Sequence, residues 1–204
     1  VWTDRVAESE KWEAAAYVDI NRRNLMTAAA RHRMPKTCCY TNLERALNEV
    51  EADALLDVTP QQFRKEVCLA ALERGLHVLA EKPLADSLPN GRALVDRAAR
   101  LRRVLMVAQN YRYQPGAQTF KRFIQRGQLG EPGYVGISFH KGPRFTGYRT
   151  EMAYPLVLDM SIHHFDLLRF FFDTDIKEVE ASSISAPWNW NKGDATVMAQ
   201  LRLA

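Results

Sequence analysis

Hydrophobic and polar positions follow two alternating patterns along the first half of the chain. Short apolar runs predict strands at 14–18, 36–40, 53–58, 77–80 and 104–108. Between them, apolar residues at three- and four-residue spacing predict helices over 24–33, 42–50, 61–74 and 87–100. Strands that alternate with helices of this length indicate an α/β fold, a Rossmann-type doubly wound parallel sheet.

Two of these helices carry clear end signals. Asn42 is placed to cap the helix over 42–50, and Gly75 closes the helix over 61–74. Within the latter helix, the spacing puts five residues on one face: Phe63, Val67, Ala70, Ala71 and Arg74.

The pattern changes near residue 113. A helix over 118–126 is followed by an alternating strand at 134–140, a polar loop, and a strongly apolar helix over 156–172. Two further strands are predicted, at 176–184 and 195–203. This half is typical of an α+β domain with a mainly antiparallel open sheet, so we predict two domains, 1–113 and 114–204.

Composition narrows the function classes. The 204 residues are 47% hydrophobic and carry a net charge of +4, with basic clusters confined to helix-like stretches, which argues against nucleic-acid binding. No apolar run approaches the roughly 20 residues of a membrane helix. Three cysteines without metal-ligand spacing favour reduced thiols and a cytoplasmic protein, although an export signal upstream of Val1 is left open.

Ligands of open parallel sheets bind beyond the carboxyl ends of the strands. The residues at those ends are therefore candidates: Asp19, Thr59, Pro60, Glu81, Lys82, Pro83, Gln109 and Asn110. A carboxylate such as Asp19 can accept both ribose hydroxyls of an adenosine, or it can cap the helix that follows, just before Asn21; the sequence leaves both interpretations open.

The glycine-rich phosphate loop of a Rossmann unit normally lies about 20 residues before that carboxylate. Counting back from Asp19 passes the first residue, and 1–12 have the pattern of the helix that follows such a loop. We therefore expect the chain to lack the first strand and the glycine loop, to end before its last sheet is complete, and by itself to bind NAD weakly or not at all.

A second candidate cluster lies on the apolar helix. Asp159, His163 and Asp166 share one face, beside a stripe that we expect to be buried and that contains Leu158, Ile162, Phe165 and Leu168. A carboxylate next to a histidine can orient the ring and raise its basicity, as a general base requires. A buried ion pair, or a histidine that is satisfied by packing alone, explains the same pattern equally well, and the spacing predicts no metal site.

Three motifs in order resemble the Gfo/Idh/MocA family of nicotinamide-dependent oxidoreductases. They are the segment ALERGLHVLAEKPLA at 71–85, NYRYQP at 110–115 and DMSIHHFD at 159–166. The resemblance runs from about Trp12 to the end of the chain.

The resemblance implies hydride transfer between a nicotinamide cofactor and a hydroxyl or carbonyl carbon of a sugar, polyol or inositol-type substrate. Lys82 would polarise the reacting oxygen, His163 would act as general base, and Asp159 would orient the substrate. The implied cofactor-binding residues are Asp19, Asn21, Arg22, Thr59, Pro60, Glu81, Lys82 and Asn110. The Asp19 carboxylate favours NAD, while Arg22 and Arg23 leave NADP possible.

The resemblance also leaves other functions open. A relative that uses NAD transiently to cleave glycosidic bonds, or a non-catalytic NAD(P)-binding regulator, would share the scaffold. Many family members carry a histidine where this chain has Arg64, which puts that cofactor-side contact in question. The family's open sheet implies a homo-oligomer for the full-length protein.

Overall fold

The computed structural model describes residues 2–142, 144 and 146–204. The chain divides into two compact units, Val1–Val107 and Ala108–Ala204. This division precedes the domain boundary that the sequence predicts near residue 113.

The first unit is built from short parallel strands. β1 (Tyr17–Val18) pairs with β2 (Cys39–Tyr40), and a three-stranded sheet follows in the order β3 (Ala54–Asp57), β4 (His77–Ala80) and β5 (Leu105–Val107). The helices are α1 (Trp2–Ala7), α2 (Arg22–His32), α3 (Leu43–Glu49), α4 (Gln61–Glu73) and α5 (Leu88–Arg100). The predicted parallel α/β fold is confirmed.

Local chemistry explains where these helices begin and end. The Asn42 side chain accepts a hydrogen bond from the backbone N–H of Arg45, as an N-cap does, and so α3 begins where the sequence predicts. Gly75 adopts a φ of +80° directly after α4, a conformation that side chains with a Cβ rarely take. α1 is shorter than its predicted range of 1–12.

The buried face of α4 differs from the prediction. The structure buries Arg64, Cys68, Ala71 and Leu72, whereas Phe63 is 50% exposed. Arg64 was not among the five residues that the spacing puts on one face; the structure buries it because a carboxylate from β3 compensates its charge. The core of the unit lies behind this face, where Cys68, Ala71, Leu72, Val78, Ala80, Leu94 and Ala98 pack together.

The second unit contains helices and one antiparallel pair of strands. α6 (Pro115–Gln125) and α7 (Ile162–Phe172) precede β6 (Ile176–Ile184), which pairs with β7 (Thr196–Leu203). Short 3₁₀ turns cover Asn110–Tyr113 and Gly147–Glu151. The predicted antiparallel sheet is confirmed.

Two predictions for this unit were wrong. Residues 134–140 form no strand within the part of the chain that the structure describes, and Tyr134 is 91% exposed. Alternating polarity alone does not make a strand, because its backbone also needs a neighbouring strand to bond.

The apolar helix is also not uniform. Leu156–Ser161 forms a π-helical segment that leads into α7, and such a segment changes the angular register of the side chains. As a result, Met160, His163 and Leu168 are the buried positions, while Leu158, Ile162 and Phe165 are only half-buried.

No helix among the described residues has the length and apolar character needed to cross a membrane.

Candidate active site

The carboxyl ends of β3 and β4 bring two candidate segments side by side. In the parallel register Asp57 lies opposite Ala80, and the Glu81 N–H donates to the Asp57 carbonyl at 2.9 Å. Each strand then turns away, β3 into Thr59–Pro60 and β4 into Glu81–Lys82–Pro83. The structure therefore places these two predicted segments at one edge of the sheet, as the strand-end rule requires.

The Asp57 side chain holds the turn at Thr59–Pro60 by hydrogen bonds. The residue is 1% exposed, and its Oδ1 accepts hydrogen bonds from the Thr59 N–H at 2.8 Å and the Thr59 hydroxyl at 2.6 Å. Its Oδ2 accepts from the Arg64 Nε at 3.0 Å and from the Cys68 thiol at 3.5 Å. The Asp57 carboxylate thus accepts from four donors, which hold it in one orientation beneath the turn.

Arg64 connects the two turns. Its side chain is 2% exposed, and besides Asp57 it donates to the Thr59 carbonyl through Nη2 and to the Pro83 carbonyl through Nη1. The pair thus satisfies both of its charges by hydrogen bonds within the fold, as buried ions must.

The Glu81–Lys82–Pro83 turn is half-buried and held by local contacts. The Lys82 N–H donates to Glu81 Oε2 at 3.1 Å, and the Trp2 indole donates to Glu81 Oε1. The peptide bond between Lys82 and Pro83 is cis.

Asp19 follows β1 directly. Its N–H donates to the Tyr40 carbonyl of β2, and its Oδ1 accepts from the Asn21 N–H at 2.7 Å. Asn21 in turn caps α2 by accepting from the N–H groups of Arg23 and Asn24. The N-cap of α2 is therefore Asn21 and not Asp19, which instead holds the preceding turn through one carboxylate oxygen.

The second oxygen of Asp19 has no hydrogen-bond partner among the residues that the structure describes. Arg22 and Arg23 are exposed in the first turn of α2. This end of β1 therefore offers one acceptor and two cations to a ligand.

In the second unit, His163 lies in a defined aromatic environment. It is 4% exposed, and its ring stacks on that of Tyr111 with centroids 4.0 Å apart and planes 6° from parallel. Tyr111 belongs to the 3₁₀ turn that begins at Asn110, an exposed residue. The turn is joined to α7 by an ion pair in which Arg112 Nε donates to Asp166 Oδ2 at 2.9 Å.

Asp159 has a cationic neighbour from the loop that precedes its helix. Arg149 Nε donates to Asp159 Oδ2 at 3.0 Å, and its guanidinium lies 4.8 Å from the centre of the Tyr148 ring. Three residues were predicted to share one face of this helix. Of these, Asp159 and Asp166 form ion pairs with arginines of neighbouring segments, while His163 stacks on a tyrosine.

His164 differs from its neighbour in the chain. Its ring lies 4.8 Å from that of Phe139, and burial lowers its pKa. Among the described residues no group of three or more His, Cys, Asp or Glu side chains is placed to hold a metal ion.

Sequence reasoning did not predict five members of these networks: Asp57, Arg64, Tyr111, Arg112 and Arg149. Arg64 was noted only because many family members carry a histidine at its position. The sequence spacing of the two residues does not indicate that Arg64 contacts Asp57. Tyr111 is 52 positions from His163 and Arg149 is 10 positions from Asp159 in the sequence, so only the fold brings these partners together.

Comparisons with known proteins agree with this architecture. Residues 3–109 match the family model described as an oxidoreductase family with an NAD-binding Rossmann fold, and residues 117–204 match the GFO/IDH/MocA C-terminal domain.

Curated relatives include an inositol 2-dehydrogenase of Paracoccus denitrificans, which is 32% identical over 79% of this chain and 47% of its own length. A 1,5-anhydro-D-fructose reductase of Ensifer adhaerens is 31% identical over 72% of this chain and 45% of its own length. The chain spans about half the length of the curated relatives it matches.

Solved structures show the same fold. An oxidoreductase from Agrobacterium radiobacter in complex with NAD+, L-tartaric acid and magnesium superposes with a TM-score of 0.87 at 20% identity, over 98% of this chain and 58% of that one. A scyllo-inositol dehydrogenase from Lactobacillus casei with bound NAD(H) and scyllo-inositol gives a TM-score of 0.78 at 17% identity, over 98% and 62%. With both family models matched in order along the chain, the protein belongs to the Gfo/Idh/MocA oxidoreductase family, and its first unit is the NAD-binding Rossmann fold of that family.

Proposed function

We propose that the protein transfers a hydride between NAD and a hydroxyl or carbonyl carbon of a cyclic polyol or sugar. The observation that carries this proposal is the Glu81–Lys82–Pro83 turn at the carboxyl end of β4, in a chain whose first unit is an NAD-binding Rossmann fold. Strand ends of such sheets are where ligands bind.

The residues present fit the cofactor. Asp19 has one carboxylate oxygen held by its own turn and a second that is available to ribose hydroxyls. The neighbouring Asn21 and Arg22, the turn at Thr59 and Pro60, and Glu81, Lys82 and Asn110 complete the proposed cofactor-binding set. NAD is favoured over NADP because a 2′-phosphate would be repelled by Asp19, although Arg22 and Arg23 would attract it.

The proposed chemistry assigns one task to each of three side chains. Lys82 donates a hydrogen bond to the substrate oxygen and stabilises negative charge on it. His163 accepts the hydroxyl proton as the carbon–oxygen double bond forms, and Asp159, with Arg149 beside it, orients the substrate. Bound NAD supplies the acceptor for the hydride that leaves the carbon with its two electrons.

The substrate class rests on the relatives. Two curated relatives at 31–32% identity are named for inositol and for anhydrofructose, both cyclic polyhydroxylated molecules. Tyr148, Tyr154 and Trp188 are exposed in the second unit and can stack on such a ring.

A glycosidase-type relative and a non-catalytic regulator remain the competing functions. Turnover of a glycoside without accumulation of NADH would identify the first. Binding of NAD or of a sugar without any turnover would identify the second.

We further propose that the full-length protein forms a homo-oligomer through the face of β6 and β7 that carries Ile184 and Met198. These two residues are 62% and 73% exposed, and the strand register places them on the same face of the pair. Sedimentation equilibrium distinguishes a second copy on this face from a monomer.

Replacing His163 tests the proposed base. In the natural full-length protein, His163→Ala should lower kcat by roughly 10²- to 10⁴-fold, the usual contribution of a general base, while the dissociation constant for NAD stays near that of the wild type. NADH absorbance and isothermal titration measure the two quantities. Unchanged turnover would refute the assigned base.

A further inference from the structure

We propose that Arg64 is a positioning residue that fixes Lys82 by clamping the turn after β4 to the end of β3. The role assigned to Lys82 rests on the proposed function, whereas the clamp itself is a property of the fold.

The clamp is made by a single buried guanidinium. Arg64 lies in the second turn of α4, is 2% exposed, and directs Nε, Nη1 and Nη2 at acceptors from three separate places. Those acceptors are Asp57 Oδ2 at 3.0 Å, the Pro83 carbonyl and the Thr59 carbonyl. A planar guanidinium with donors at fixed angles can serve three acceptors at once, which the single ammonium of a lysine cannot do in the same geometry.

The two turns depend on Arg64 to different degrees. Thr59 is also held by Asp57, which accepts from both its N–H and its hydroxyl. On the other side, Pro83 has no N–H of its own to donate, and its carbonyl is held by Arg64. Because Pro83 directly follows Lys82, loss of the guanidinium fork should loosen the Lys82 turn more than the Thr59 turn.

This difference between the two turns allows a positioning role of Arg64 to be distinguished from a purely stabilising one. If Arg64 only stabilised the fold, its replacement would lower the fraction of folded molecules and leave each folded molecule fully active. If it positions Lys82, each folded molecule should lose turnover while its affinity for NAD changes little, because the Thr59 turn remains held by Asp57.

The test uses Arg64→Lys in the natural full-length protein, which keeps the positive charge beside Asp57 and removes the fork. Asp57→Asn/Arg64→Gln is the second variant, since it removes both charges together and leaves no uncompensated ion if the first variant does not fold. Leu72→Ala is the control, because Leu72 is fully buried on the same helix and belongs to the core rather than to either turn.

Two measurements are made under conditions where every variant is folded. The first is kcat with a cyclic polyol, together with the dissociation constant for NAD. The second is hydrogen–deuterium exchange at the amides of Glu81 and Lys82, which does not depend on activity.

For Arg64→Lys we expect kcat to fall about 10- to 100-fold, as a small displacement of a reacting group produces, with less than about a threefold change in the NAD dissociation constant. Exchange at Glu81 and Lys82 should become roughly 2- to 10-fold faster, the shift that loss of one net hydrogen bond produces. Leu72→Ala should change neither.

Unchanged exchange at Glu81 and Lys82 would overturn the clamp. Faster exchange with wild-type kcat would overturn the positioning of Lys82 and leave Arg64 a structural residue. If the wild type shows no NAD-linked turnover with any polyol or sugar, the proposed function is wrong, and the exchange data still decide the clamp.

Discussion

The charged groups near the candidate residues are organised differently in the two units. In the first, Asp57 and Arg64 are 1% and 2% exposed and are bonded to backbone atoms of the turns that they support. In the second, the Arg112–Asp166 and Arg149–Asp159 pairs join separate segments, and both arginine side chains are 32% exposed.

The difference shows how each unit fixes its functional side chains. Loss of one partner of a buried ion pair leaves the other charge buried without a counter-ion, which strongly destabilises the fold. The folded state of the first unit therefore requires the hydrogen bonds that hold its two turns. The pairs of the second unit are less buried, with aspartate side chains 10% and 13% exposed, so we expect each of them to contribute less to stability. In that unit, burial of the His163 ring against Tyr111 supplies the rigid element instead.

The substitution with the largest expected effect on this difference between the units is Arg64→Met. It leaves the buried Asp57 carboxylate without its cation, so we expect the free energy of unfolding to fall by about 3–5 kcal/mol. Urea unfolding of the natural full-length protein measures the loss. A change of less than about 1 kcal/mol would show that the pair is not buried as described.

The matching change in the second unit is Arg149→Gln. Because Arg149 and Asp159 are partly exposed, the free energy of unfolding should change by less than about 1 kcal/mol in the same experiment. A loss as large as that of Arg64→Met would remove the distinction between the two units.

A smaller effect is expected from His164, whose pKa is lowered by burial below the ordinary value of 6.5. Below that value the unfolded chain binds a proton that the folded chain does not, so stability falls as the pH drops from 6.5 toward the lower folded pKa. His164→Gln should reduce this slope. Unfolding curves between about pH 7.5 and about pH 5.5 measure it, and identical slopes in the two proteins would contradict the burial of this ring.

The two units also differ in how much of their structure the sequence predicts. In the first, strands, caps and strand-end residues follow from local patterns, as Asn42 and Gly75 show, and the parallel sheet was predicted correctly. The exceptions are α1, which is shorter than predicted, the predicted strand at 36–40, of which only Cys39–Tyr40 forms, and the buried face of α4. Burial of Arg64 on that face depends on Asp57, a partner seven residues earlier on another element.

In the second unit, local patterns were less informative. The alternation at 134–140 predicted a strand that does not form, since a strand requires a neighbour that no local pattern specifies. The π-helical segment at Leu156–Ser161 shifted which residues are buried, and the ring stacking of His163 on Tyr111 joins positions far apart in the chain.

The central claim is that the turn after β4 presents Lys82 to the substrate oxygen of an NAD-linked dehydrogenase. Its most direct test is NADH formation by Lys82→Met in the natural full-length protein with a cyclic polyol that the wild type oxidises. We predict a kcat lower by roughly 10²- to 10³-fold, as for removal of one donor from a developing oxyanion, with folding and NAD affinity retained. A Lys82→Met variant that oxidises the polyol at the wild-type rate would contradict the claim.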